Sequence, residues 1–344
     1  MVTVVSKTKP TTTSGFLPLV VDYKQKLAAA GRIPTNFFRR ELGTSEKEIL
    51  TSRLIDRSLR PLFPDNFCYE TQIMCNMLAV DGVNNPDIVA LNASSTSLSL
   101  SDVPWNGPVG AVRVGFIDNE VIINPTRKEL QISSLNLVIS ITKQNLVVML
   151  EGSANSILQQ DFLKAIKAGT KEAQLIVASI EKLQKRFGKP KRTVDKPLEL
   201  SDAVVEALQS LGRMRVREVF KTHSHDKLSR DNALNDIRAD VTGKVKADFP
   251  DVDGYLLADG INKIIKKEFR DLVFEDEIRC DGRNLDQLRN ITCSVDLYKP
   301  LHGSALFQRG QTQVFCTVTL DSHESALKLD PLTMLTRYLF TSSF

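Results

Sequence analysis

The sequence predicts an α/β domain, then an all-helical block, then a return to strands, and three observations predict it. Short apolar runs of strand length recur through residues 1–187, with helical stretches between them. Over residues 200–274 the apolar positions recur at helical spacing instead. Beyond residue 275 the strand-like runs come back, and Gln313–Asp321 echoes the opening Met1–Lys7. The echo implies a weak internal repeat with the helical block between its copies.

Met1–Val5 alternates like the middle of a strand. Phe16–Val21 is a second strand candidate, and Tyr23–Ala30 suits a short turn of helix. Gly31–Asn36 carries Gly, Pro and Asn and predicts a loop. A helix then starts at Thr44 or Ser45, either of which can cap it. Glu46 and Glu48 suit the positive end of its dipole, and Pro61 stops it. Strands are predicted at 71–80, 109–117, 120–124 and 135–150, with a helix of small residues at 88–100.

Ile176, Ile180, Leu183 and Phe187 are spaced 4, 3 and 4 apart, one face of a helix within 155–187. Residues 188–199 form a basic linker. Its Gly188–Arg192 cluster, with Lys182, Lys185 and Arg186, either stands in solvent or touches phosphate. In the helical block Ser201 and Ser229 cap two helices. The third is Asp253–Phe274, with Ile261, Ile264, Ile265, Phe269 and Val273 as its inner face. The last strands are 291–297, 304–308 and 313–320.

Composition excludes several classes. Apolar residues at 42% and charged residues at 25% are ordinary for a soluble globular protein. A net charge of +4 permits an RNA partner without demanding one. Five cysteines, with no C-x-x-C pair, argue against a disulfide framework and for a reducing compartment. No apolar run reaches the ~18 residues of a membrane span. Met1–Ser14 shows neither a signal core nor an Arg-rich amphipathic stretch, so no targeting peptide is read. There is no P-loop, zinc spacing or nucleophile triad.

Four clusters carry possible chemistry. In Phe37-Phe38-Arg39-Arg40, exposed rings can stack bases and the arginines can pair with phosphates. The other arrangement puts one Phe in the core and leaves two surface arginines. Arg53, Arg57 and Arg60 share a helix face by spacing, with Asp56 the only nearby acid. They form either a phosphate-facing strip or a solvated face. Asn92–Ser97, a run of small polar residues near a helix start, either caps that helix or cradles phosphate on backbone N–H groups. His223, His225 and Asp226 have ligand-like spacing but no further ligands, and read as a polar loop.

Taken together, six stretches resemble polynucleotide phosphorylase: Gly31–Arg40, Ser45–Arg57, Arg60–Pro64, Asp102–Ala111, Cys280–Arg283 and Leu301–Gln313. The likeness runs over roughly 1–325, is worded most like animal mitochondrial members, and fades in a divergent tail from about 323. It implies a first RNase PH-like core (1–187) missing its opening strand, the basic linker (188–199), an all-helical domain (200–274) and the truncated start of a second RNase PH-like core (275–344).

The resemblance further implies a phosphate-dependent 3′-5′ exoribonuclease of RNA. Such an enzyme releases nucleoside diphosphates, works in reverse as a polymerase, needs Mg2+, and is a homotrimer located in the mitochondrion, the cytoplasm being the alternative. Phe37, Phe38, Arg39 and Arg40 match the loop that grips single-stranded RNA, and Arg57, Arg60 and Arg283 match arginines near the active site. The main sites for inorganic phosphate and metal are expected beyond Phe344, so no catalytic or metal residue is assigned and the chain alone is expected to be inactive. Asn92–Ser97 lies where a degenerate phosphate site would stand and lacks the expected glycine. The competing function is a non-catalytic RNA-binding or assembly subunit built from RNase PH-like cores.

Overall fold

The computed structural model describes residues 1–9, 17–34, 37–41, 43–64, 67–193, 200–322, 328–330, 335–336 and 341–343. They fall into two compact units, Met1–Lys196 with Leu329–Leu335, and Pro197–Lys328 with Thr336–Phe344.

In the first unit the order is β1 (Val2–Ser6), β2 (Leu19–Gln25), α1 (Glu46–Leu59), β3 (Thr71–Met77), α2 (Pro86–Leu100), β4 (Val109–Ile117), β5 (Glu120–Ile123), α3 (Arg127–Ile132), β6 (Leu135–Thr142), β7 (Val147–Ala154) and α4 (Gln159–Phe187). One sheet has the order β1-β3-β2, with β3 antiparallel to β1 and parallel to β2. The other is antiparallel, β5-β4-β6-β7. Strand alternation divides its core in two. Val109, Ala111 and Val138 join the cluster of Leu54, Ile55, Leu91 and Leu98 from α1 and α2. Val112, Val114, Leu137 and Ile139 join Ala165, Ala173 and Val177 of α4.

Glycine is required where α4 meets this sheet. A Cβ on Gly110 would run into the Ala173 carbonyl, and one on Gly169 would come within 2.7 Å of Ile139 and Val114.

Ser45 is the cap of α1. It forms a capping box with Glu48, whose other carboxylate oxygen accepts from the Gln25 N–H at 2.8 Å. Burial works against ionisation of Glu48, yet the N–H groups of Ser45 and Gln25 and the Ser45 hydroxyl hold its carboxyl below the usual range.

Expectations for the strands of this unit change in two places. Tyr23–Gln25 is strand rather than helix, because β2 pairs with β3 from Leu19↔Thr71 to Gln25↔Met77, and only Leu27–Ala30 makes a 3-10 turn. Phe16, in the expected second strand, lies outside the described residues. The run 135–150 is a hairpin. The chain turns at Asn145, φ 62°, with its N–H on the Thr142 carbonyl, and β7 continues to Ala154.

Within the basic cluster Lys191 and Arg192 are fastened down, against the expectation of solvent or phosphate, while Lys182, Lys185 and Arg186 are exposed. Lys191 Nζ donates to the carbonyls of Leu98, Ser99 and Ser101 at 2.8, 3.1 and 2.7 Å, filling the open C-terminal end of α2. Burial pushes its ammonium down to about 8, with Asp102 pulling the other way. Arg192 pairs with Asp102 at 3.0 Å, donates to the Lys7 carbonyl at 2.9 Å and stands over the Tyr69 ring.

The second unit holds α5 (Asp202–Lys221), α6 (Lys227–Asp248) and α7 (Gly254–Asp276), then β8 (Ile291–Val295), β9 (Gly303–Arg309) and β10 (Thr312–Val318) in an antiparallel sheet, with the short strand Thr341–Ser343 against β10. Asp226, not Ser229, caps α6; its carboxylate accepts from the Ser229 N–H at 2.7 Å. The inner face of α7 is Leu257, Ile261, Ile264, Glu268 and Leu272, whereas Phe269 is 39% exposed. Buried Glu268 fixes that rotation, since Arg213 and Arg217 of α5 reach its carboxylate at 2.7 and 3.2 Å.

Replacing Lys191 with Met leaves three carbonyls at the end of α2 without their donor. The expected loss is about 1–3 kcal/mol of stability, read by denaturant titration. An unchanged midpoint means that water serves those carbonyls equally well.

Candidate nucleic-acid interface

The Phe-Phe-Arg-Arg loop stands on an anchored base. The Glu41 carboxylate accepts from the Leu27 N–H at 2.9 Å, which ties the end of the loop to the 3-10 turn. Arg39 takes a left-handed conformation, φ 51°, and its guanidinium donates to the Pro34 carbonyl at 3.2 Å. Phe37 is 92% exposed and Phe38 66% exposed. Neither ring is in the core, so the arrangement with one buried Phe does not occur. The two rings meet edge to face, centroids 5.2 Å apart. Thr35, Asn36 and Leu42 lie outside the described residues.

The arginines of α1 divide by burial. Arg53 and Arg57 are exposed, while Arg60 turns inward. Arg60 takes both Asp56 oxygens, at 2.9 and 2.7 Å, and donates to the carbonyls of Leu17 and Leu19 at 2.9 and 3.0 Å. It therefore clamps the end of α1 to the start of β2. Asp56 is not the only acid at hand: Glu151 of β7 meets Arg57 at 2.7 Å. Both partners of that second pair are exposed, and solvent leaves such pairs weak. Arg57 can exchange its carboxylate for a phosphate at little cost.

Arg283 belongs to the second unit, in a loop that closes on itself. Its guanidinium lies 2.9 and 2.8 Å from Asp281 and donates to the Gln287 carbonyl at 2.8 Å. Those hydrogen bonds from Arg283 hold the Asp281 carboxyl below the usual range.

Asn92–Ser97 sits in the middle of α2, not near its start. Its backbone N–H groups serve the helix and cradle nothing. Ser94 and Thr96 donate back to the carbonyls of Ala90 and Asn92 at 2.7 and 2.8 Å. Ser95 Oγ accepts from the Val109 N–H at 2.9 Å, and the Asn92 amide bonds both backbone groups of Ala111 at 2.8 Å. The run is the seam between α2 and β4.

Asp226 is used as a cap, and His225 Nδ1 lies 3.1 Å from Ser229 Oγ. Among the described residues no three His, Cys, Asp or Glu side chains converge to hold a metal ion. The five cysteines are free thiols.

Sequence reasoning missed an open cavity of about 750 Å³ bounded by Val2, Cys75, Met77, Val80, Val89 and Ala93. Its residues come from β1, β2, β3, α2 and the loop between β3 and α2, so no local pattern announces it. Tyr23 also borders it, and burial, with Asp87 nearby, raises that phenol above its ordinary value.

Arg57 and Arg60 should behave differently. Arg60→Gln is expected to lower stability by about 1–3 kcal/mol, and Arg57→Gln by less than about 1 kcal/mol, both by thermal denaturation. Equal losses would contradict the division.

With this geometry in place, comparison with known proteins is informative. The model described as 3′ exoribonuclease family, domain 1, matches residues 1–104 and 287–342, and its domain 2 matches 107–172. Polyribonucleotide nucleotidyltransferase, RNA binding domain, matches 203–284. The domain 1 match falls on both copies of the repeat read from the sequence. Polyribonucleotide nucleotidyltransferase of Methylacidiphilum infernorum is 40% identical over 330 residues, 96% of this chain and 46% of that protein. The Finegoldia magna protein of that name is 40% identical over 336 residues, again 96% and 46%. Polyribonucleotide nucleotidyltransferase 2, mitochondrial, of Oryza sativa subsp. japonica is 40% identical over 323 residues, 92% of this chain and 33% of that one. The chain thus spans a third to about half of these relatives. Two RNase PH-like segments with a helical region between them, matched in order along the chain, place it in the polyribonucleotide nucleotidyltransferase family.

Proposed function

We propose that this chain handles single-stranded RNA as part of a phosphate-dependent 3′-5′ exoribonuclease, which releases nucleoside diphosphates and in reverse polymerises them. The observation that carries the reading is the pair of exposed rings, Phe37 and Phe38, beside Arg39 and Arg40 on a loop tied down at its base. A solvent-facing phenylalanine contributes nothing to a core. It offers each unstacked base a flat partner, at about 1–3 kcal/mol per base. The arginines hold the phosphates on either side.

Arg57 is the next contact in this reading, releasing Glu151 as a phosphate arrives. Arg60 and Arg283 keep their carboxylates and act by positioning the helix end and the Asp-Gly-Arg loop. The groups that hold inorganic phosphate and Mg2+ are placed outside residues 1–344, as the resemblance implies. The division into a first core (1–187), linker (188–199), helical domain (200–274) and start of a second core (275–344) belongs to the same reading. So do a homotrimer and a mitochondrial location of animal type. The motif wording supports the animal type. The plant mitochondrial relative supports the location, while the bacterial relatives suit a cytoplasmic one equally.

Two measurements test this. Changing Phe37 and Phe38 together to Ala should weaken binding of a single-stranded RNA at least about five-fold, with the fold intact by circular dichroism. Equal affinities would remove the loop from the interface. Incubated with poly(A), phosphate and Mg2+, the purified chain should bind RNA but release few nucleoside diphosphates. Robust turnover would place the catalytic groups within residues 1–344, and binding by an enzyme never active at any length favours the assembly-subunit reading.

A further inference from the structure

The open cavity between β3 and α2 has a free backbone edge in its wall. The hydrogen bonds of β3 alternate between its two neighbours. The Thr71 N–H donates on the β2 side, to the Pro18 carbonyl at 3.0 Å. Asn76 bonds on the β1 side: its N–H donates to the Met1 carbonyl at 2.9 Å, and its carbonyl accepts from the Met1 nitrogen at 3.0 Å. Two residues on, Leu78 falls on that same side, in line with β1. Neither its N–H nor its carbonyl has a hydrogen-bond partner among the described residues.

The opposite wall is the first half of α2. Cys75 of β3 points to that helix, its Sγ 3.1 Å from Ser94 Oγ. Val2 of β1, paired with Cys75, packs into the same core. A residue placed opposite Met77 follows Val2 by the strand period of two and points the same way. There α2 presents Ala90 and Ala93, whose short side chains leave the cavity of about 750 Å³. At its borders Leu78 is 68% exposed and Val89 67% exposed. Apolar side chains so placed forgo hydrophobic stabilisation, and a partner that covers them recovers it.

The lining selects the occupant. It contains no lysine or arginine side chain, so a phosphate backbone finds no cation there. Its one carboxylate, Asp81, already accepts from the N–H groups of Val83 and Asn84, both at 2.9 Å. A compact apolar molecule fills the space but leaves both backbone groups of Leu78 covered and unpaired, which is costly. An extended peptide meets both demands. Its backbone serves Leu78, and an apolar side chain on every second residue covers Ala90, Ala93 and Val89.

We propose that β3 and α2 form a peptide-binding groove, in which an uncharged extended segment of a partner protein adds to β3 in line with β1. The segment runs antiparallel to β3. One residue exchanges both hydrogen bonds with Leu78, and its neighbours on either side turn apolar side chains toward α2. The groove shares no residue with the Phe37–Arg40 loop and does not depend on RNA binding.

The test uses the full chain and a fluorescein-labelled Ser-Val-Thr-Val-Ser amide, read by anisotropy. The central Thr is the residue set to meet Leu78. Methylating its backbone nitrogen removes the ladder donor and should weaken binding about ten-fold or more. Methylating the nitrogen of the second Val, whose N–H points away from β3, should leave the affinity unchanged. On binding, hydrogen exchange at the Leu78 amide should slow. Ala93→Leu fills the cavity and should abolish binding with the thermal midpoint no lower. Thr-Val-Thr joined ahead of Met1 puts a strand in the same place and should abolish it too. The methylated peptides need no variant, so they decide the matter even where Ala93→Leu fails to fold. Equal affinity for the two methylated peptides overturns the proposal, as does no binding or binding indifferent to Ala93→Leu. So does self-association that Ala93→Leu removes and the peptide does not compete with, which makes the occupant a second copy of the chain.

Discussion

The first unit depends on a strand with no face left to water. From Val109 to Phe116 every residue of β4 is buried, and one of its neighbours, β6, is nearly as dry. Burial on both faces stabilises such a strand strongly, at roughly 25 cal/mol per Å² of apolar surface, but it demands that helices approach from both sides. Gly110 and Gly169 meet that demand on the α4 side by removing the atoms that would hold the helix off. On the other side α2 comes close enough for Ser95 and Asn92 to bond the strand backbone directly. The position of α2 then settles where its C-terminal end opens, where Lys191 must reach, and how the linker begins.

Burial also decides what the arginines can do. Arg60 is held by a carboxylate and two carbonyls, and Arg283 by a carboxylate and one. Releasing either leaves acceptors without donors, which costs more than a phosphate contact in water returns. Arg57 has one exposed partner and Arg39 a single backbone carbonyl. The same chemistry therefore serves structure in one group and is open to a ligand in the other, and spacing along a helix does not tell them apart.

Much of the fold was legible because its signals are local. The helix start at Thr44 or Ser45, the stop at Pro61 and the run Val109–Ile117 each lie within one element, and the structure places them as expected. The misreadings came where a distant partner decides. Tyr23–Gln25 looks helical until β3 pairs with it. Ser229 looks like a cap until the nearer carboxylate of Asp226 takes that role. The face of α7 was misplaced because a buried glutamate, which pattern reading assigns to solvent, is neutralised by arginines some fifty residues earlier. At the interface, the exposed rings were identified as candidates. That both lie outside the core is a fact of the anchored loop, not of the tetrapeptide.

The serines of α2 look interchangeable in the sequence, yet they answer to different masters. Ser99 donates only to the Ser95 carbonyl inside its own helix, and that carbonyl already has its place in the helix ladder. Ser95 supplies the acceptor for the Val109 N–H, in a strand that water does not reach. Drift to alanine at Ser99 strands no polar atom, whereas the same drift at Ser95 strands a backbone donor. What this helix can become over generations is thus set by the strand beneath it, one position at a time.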